Sequence, residues 1–299
     1  MRISISLTRR KTAVVLFASF LIVASGLVAQ APPAAKQEKG VTASLEFDGS
    51  ADSSGAVYEL DSSVGYAFSN HFAIGLGLPI YFAQSSSSGQ SNSVYQVGDP
   101  SLGLQFKFPS PRLSYNTNLT GVFPTANTKH GFSTGRVTYD WSNHFDHASS
   151  FLTPFVDAGV ANSIMDTRLH HRPYTTLGYN AHFGAGANKD VWKFFTASAS
   201  AYDILPWGPQ KIYSRVAELQ SGSNPSAGKH GRVFETSATT SGDASLTRDN
   251  GYSASLDASP NRFLDLGVGY TRSVRYALNT VSFSVGVNIG SLTRKSSQH

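Results

Sequence analysis

The sequence predicts an all-β fold, a closed antiparallel transmembrane barrel of about twelve strands. Three observations carry this: long runs of strict two-residue alternation, connections that are short at one end and long at the other, and aromatic residues sorted towards the two ends of the strands. The alternation is clearest over Tyr58 to Phe82. Phe72, Ile74, Leu76, Leu78, Ile80 and Phe82 alternate with Ala73, Gly75, Gly77, Pro79 and Tyr81, a period that a helix cannot place on one side. Globular strands average about 5 to 6 residues, whereas a tilted strand needs about 9 to 11 to cross a bilayer.

The 299-residue chain is only 14% charged, against roughly 25% in soluble domains. Hydrophobic residues make up 40%, too few for several membrane helices. Residues 1–31 read as a secretory signal: a basic start with Arg2, Arg9, Arg10 and Lys11, an apolar Thr12 to Ala29, and small residues for cleavage after 29 or 31. An uncleaved anchor is the rival reading of the same run. Without the four leader cations the net charge falls from +5 to +1, so the basic balance does not imply nucleic acid. There is no cysteine, hence no disulfide.

After a lead-in at 32–40, the barrel is expected over 41–290, followed by a polar tail at 291–299. Strands are expected at 41–49, 57–68, 72–83, 99–108, 113–123, 136–146, 151–163, 174–188, 192–204, 251–259, 263–272 and 280–290. Ten or fourteen are the open alternatives. Short turns such as Ser69-Asn70-His71, Asn188-Lys189-Asp190 and Ser259-Pro260-Asn261-Arg262 mark the periplasmic end, and the longer segments 84–98, 124–135, 164–173 and 205–250 the outer end. Pro79 inside an alternating strand predicts a bulge or local break.

Alternation alone does not tell inside from outside, but size does. About eight strands already give a bore just filled by side chains, so twelve apolar-lined strands would enclose an empty apolar space. The apolar set therefore faces lipid, and the polar set lines a hydrated lumen: Glu46, Asp48, Glu59, Asp61, Lys107, Arg136, Asp140, Asp157, Asp257 and Asp265. Part of 205–250, with Trp207, Lys211, Arg215, Lys229 and Arg232, is expected to fold into the mouth and narrow it. His170-His171 with Asp166 is a weak metal motif, since adjacent strand residues point opposite ways, and no metal or other cofactor is expected. Asn118-Leu119-Thr120 lies inside a strand and is no glycosylation site.

Three segments, Leu76-Gly77-Leu78-Pro79, Val97-Gly98-Asp99-Pro100-Ser101-Leu102-Gly103 and Val122-Phe123-Pro124-Thr125, resemble an outer-membrane family labelled MetA-pathway of phenol degradation. Pro100 and Ala126 depart from its pattern. The resemblance implies a transporter-like barrel for aromatic or other hydrophobic compounds. The expected function is an outer-membrane channel for small molecules, with outer-membrane lipids, lipopolysaccharide, a solute and the barrel-assembly machinery as partners. The alternatives are a lipid or lipopolysaccharide hydrolase, for which His144 or His182 would serve, and a structural or adhesive barrel. No catalytic residue is assigned: no His-x-Ser-x-Asn-Gly segment is present, and Gly131-Phe132-Ser133-Thr134-Gly135, which has the letters G-x-S-x-G, falls in the expected loop 124–135 between two strands rather than on the strand-to-helix turn that a nucleophile elbow requires.

Overall fold

The computed structural model describes residues 39–87, 90–110, 112–216 and 233–289. The expected signal, most of the expected lead-in and the expected polar tail lie outside these residues. Twelve antiparallel strands close on themselves: β1 (Gly40–Ala51), β2 (Gly55–Ala67), β3 (Phe72–Ser87), then, beyond β4 (Gln90–Val97), β5 (Ser101–Phe108), β6 (Leu113–Val122), β7 (Thr138–His147) and β8 (Thr153–Ala161). After β9 (Tyr174–Leu177) follow β10 (Asn180–Trp192) and β11 (Phe195–Pro206); after β12 (Gln210–Ser214) and β13 (Thr239–Gly242) come β14 (Asp249–Asn261), β15 (Leu264–Ser273) and β16 (Leu278–Asn288). β16 pairs with β1, which closes the ring.

The wall is inverted relative to a globular sheet. Along β16, Val281 and Val285 are 61% and 37% exposed, while Ser282 and Ser284 between them are 3% and 1%. Leu76, Leu78 and Ile80 repeat the outward exposure on β3. Apolar side chains that meet no protein partner are stable only against lipid, so the exposed face is the membrane face. Rings join across strands on that face: Phe68, Phe72 and Phe106 stack beside the short turns at 5.3 and 4.7 Å, and Phe283, Phe47, Tyr58 and Phe82 form a second chain nearer the outer end. These are the two belts that amphipathic interfaces favour.

The expected twelve strands are the twelve of the barrel, with local differences. β4 falls in what the sequence offered as a loop; it extends β3 as a hairpin, pairing Ile80 with Val97 and Ser87 with Gln90. β9 separates from the expected 174–188 strand at Gly178, whose φ of +151° suits glycine, and joins β12 and β13 in a small outer sheet. The expected turn at 188–190 is strand instead. Asn188 and Lys189 pair with Ser198 and Ala197, Asp190 accepts from Thr196 Oγ1 at 2.7 Å, and the chain reverses at Lys193-Phe194. Polar residues signal a turn only where a strand would bury them; here they sit at the wet end of the wall.

Opposite Pro79 the neighbouring strand is broken at Gly98-Asp99-Pro100, and the Gly98 N–H donates to the Pro79 carbonyl at 2.8 Å. A Cβ on Gly98 would lie 2.5 Å from the Tyr81 ring and 2.9 Å from Pro79, so the break needs glycine. Asp99 accepts from the backbone N–H groups of Thr125 and Ala126 at 2.8 and 2.7 Å. The three segments that carry the resemblance therefore meet in one structural joint.

Candidate functional site: a strapped bore

The inner wall carries small and polar residues because a segment of chain has to fit inside it. Residues 162–173 leave the end of β8 and reach β1, six strands away around a ring of twelve. This strap turns back at its tip, where Thr167 and His170 exchange backbone hydrogen bonds of 3.1 and 2.9 Å and leave Arg168 and Leu169 at the apex. Leu169 sits against β15, where Cβ atoms on Gly267 and Gly269 would stand 3.1 and 3.4 Å from it. Side chains larger than glycine there would take the space Leu169 fills.

Charge pins the tip to the wall. Arg168 pairs with Glu46 of β1 and reaches Asp257 of β14 at 3.8 Å. His171, 3% exposed, sets Nε2 against Asp48 of β1 and Nδ1 against Glu59 of β2 at 3.0 Å, and its backbone N–H donates to Ser50 Oγ at 2.8 Å. Behind it Asp166 accepts from the Arg172 N–H at 2.9 Å and pairs with Arg215, which follows β12 and stacks over Tyr81 and Phe132 at 5.2 and 5.5 Å. Burial alone would push the His171 pKa down, yet the facing carboxylates of Asp166, Asp48 and Glu59 hold it well above the ordinary imidazole value. Burial would raise Asp166, but Arg215 and His171 hold it well below the usual carboxylate range.

Asp48, Glu59 and His171 bring ligand-type atoms within 4.8 Å of one another. Each ring nitrogen faces a different carboxylate, so a protonated imidazole would bridge the pair and tie the strap to β1 and β2.

Around the strap a cavity of about 830 Å³ remains. Of the ten residues assigned to the lumen, Glu46, Asp48, Glu59, Asp61, Asp140 and Asp157 line it, and Asp257 touches the strap through Arg168. Lys107 and Asp265 sit lower, near the short turns, where Asp265 accepts from Ser259 Oγ. Arg136 is elsewhere: the strand starts at Thr138 rather than 136, so Arg136 lies exposed on the preceding loop, where its carbonyl accepts from Thr134 Oγ1. From the long outer segment only Arg215 lines the cavity among the described residues. Trp207 stacks on Tyr179 at 5.9 Å on the rim, Lys211 lies over Tyr213 at 4.7 Å, and Lys229 and Arg232 lie outside the described residues. Other described residues of that segment, Ile212, Val216 and Phe234, pack with Tyr174 and Leu278 in an outer cap.

The strap's role was not legible as such. Its signal is the density of charge in Asp166-Thr167-Arg168-Leu169-His170-His171-Arg172, unusual for a chain so poor in charge. His144 and His182 both face the bore, with Asp157 at 2.7 Å and Asp140 at 2.9 Å. A hydrolase of membrane lipid would need its histidine on the outer wall or rim.

Fold and site together define a bacterial outer-membrane β-barrel with an internal strap. An outer-membrane channel from Pseudomonas putida F1 has a similar structure, with a TM-score of 0.55 at 9% identity over 87% of this chain and 100% of that one. The NanC and KdgM porins align at TM-scores of 0.46 and 0.44, with 9% and 8% identity, over 82% of this chain and 98% of theirs. No family model matches the chain, and no curated protein matches it.

Proposed function

We propose that the protein is a passive channel of the outer membrane for small molecules. The observation that carries this is the inverted wall, apolar outwards and polar inwards, around a cavity of about 830 Å³ lined by Ser101, Thr120, Ser142, Ser198, Ser200 and Ser253 besides the carboxylates. A barrel needing only mechanical stability would gain by filling that space. The resemblance to the phenol-degradation family supports aromatic or other hydrophobic compounds as the solute class. Purified protein in liposomes, with residues 165–172 replaced by a Gly-Ser linker of equal length, should pass small aromatic solutes and ions. Liposomes that stay tight with this variant would refute the channel.

A structural or adhesive barrel is the second reading, favoured by the strap crossing the bore. It predicts that the linker variant leaks no more than the parent.

A further inference from the structure

We propose that the strap is a gate, latched to the wall by Arg168 and His171, and that releasing these two side chains opens the bore. The inference rests on the channel reading and adds a device to it.

At the tip the crossing is held mainly by side-chain ion pairs. Arg168 is held by Glu46 and Asp257, and His171 by Asp48 and Glu59, so four wall carboxylates on β1, β2 and β14 receive two strap cations. Apart from these, the tip makes the Ser50 hydrogen bond and the Leu169 contact with the β15 glycines. A permanent plug would be expected to knit into the wall by backbone pairing. The outer sheet of β9, β12 and β13 pairs that way within itself, whereas Thr167 to His170 bonds only to itself among the described backbone pairs. Side-chain ion pairs can break without unfolding any strand. The root of the strap stays fixed meanwhile, because Asp166 pairs with Arg215 and Ile164 N–H donates to Thr176 Oγ1 at 2.8 Å. The geometry is that of an arm with a firm shoulder and a releasable hand.

The groups facing the latch decide when it releases. His171 meets Asp48 from β1, Glu59 from β2 and Asp166 from the strap itself, with Arg215 beyond Asp166. Arg168 meets Glu46 from β1 and Asp257 from β14. Loss of the imidazolium proton removes one hand-hold and leaves the carboxylates to repel each other. A small organic cation that competes for the same carboxylates acts in the same sense.

The test uses single-channel recording of the full-length barrel in planar bilayers, folding being verified by heat-modifiable gel mobility. The Arg168→Ala/His171→Ala variant should open more often than the parent by at least roughly a hundredfold, the lower end of what breaking the buried His171 pair costs, the half-exposed Arg168 pair adding less. The wall-side variant Glu46→Gln/Glu59→Gln should open likewise, which covers the case of a misfolded strap variant. The chain has no native cysteine, so a lock can be added cleanly. A Cβ on residue 269 would lie 3.4 Å from that of Leu169, at the short edge of the roughly 3.5–4.5 Å range across a disulfide, and 2.8 Å from Ser282 Oγ, a side chain that has to rotate aside. Adding Leu169→Cys and Gly269→Cys to the Arg168→Ala/His171→Ala variant should close it under oxidant and reopen it under reductant. If both latch variants behave as the parent while the 165–172 linker variant conducts, the gate is refuted and the channel stands. If the linker variant is also silent, both fall together.

Discussion

Replacing Asp166 with Asn removes the charge that holds the shoulder of the strap, and its size can be worked from the contacts. The Asp166 and Arg215 side chains are 11% and 5% exposed, so water screens little of their attraction. Asn leaves the guanidinium buried with neutral acceptors only: the carbonyls of Gly131 and Arg172 at 3.3 and 3.1 Å and Thr175 Oγ1 at 2.8 Å. Removing one partner of a buried pair costs about 3 to 5 kcal/mol. Because the wall does not depend on this pair, the loss should appear locally, as faster amide exchange over 162–173 and 214–216. Every 1.4 kcal/mol is a factor of ten, so protection there should fall by roughly two to three and a half orders of magnitude while β5, β6 and β7 keep theirs. Hydrogen exchange with mass spectrometry reads this directly. Protection within a factor of about three of the parent, less than 1 kcal/mol, would refute the claim that the pair carries the shoulder.

The other expectations concern the latch, the joint and the wall. For His171 the folded value is raised, so its stabilisation is complete below the unfolded value of about 6.5 and is lost as pH rises through the higher folded value. Strap protection, corrected for intrinsic exchange, should therefore fall on the alkaline side, and His171→Gln should abolish that pH dependence. Asp166 has the opposite sign: its contribution is present above about 3.9 and is lost only in strong acid, as pH falls through the lowered folded value. Asp99→Ala strands the Thr125 and Ala126 N–H groups, at a cost of about 1 to 3 kcal/mol, and should expose the loop after β6 to protease where Asp99→Asn does so less. Val285→Lys puts a charge on the lipid face and should destabilise the barrel in lipid vesicles by up to about 2 to 4 kcal/mol, depending on depth. Full retention of stability in guanidinium titration would contradict the assignment of that face.

The partition of the chain into wall and loops was legible because a strand in lipid has to satisfy a rule at every residue. Phe72 to Phe82 alternates without a lapse, and β3 forms there. The error at Asn188-Lys189-Asp190 has the same origin: local polarity marks contact with water, and a hydrated lumen or rim provides that within a strand as readily as in a turn. Lumen position could be read for Glu46, Asp48, Glu59 and Asp61 from parity once the bore's size had set the polar face inwards, but parity failed at Arg136, where the strand begins two residues later.

What alternation and length determined by themselves was a closed, lipid-facing barrel with a polar interior, since these follow from which neighbour each side chain along a strand can tolerate. Which segment crosses that interior was decided only by the tertiary structure. His171 lies more than a hundred residues from both Asp48 and Glu59, and nothing local to any of them records that they meet. Their meeting is a property of the closed ring, which sets β8 across from β1 and leaves two glycines on β15 where Leu169 needs room.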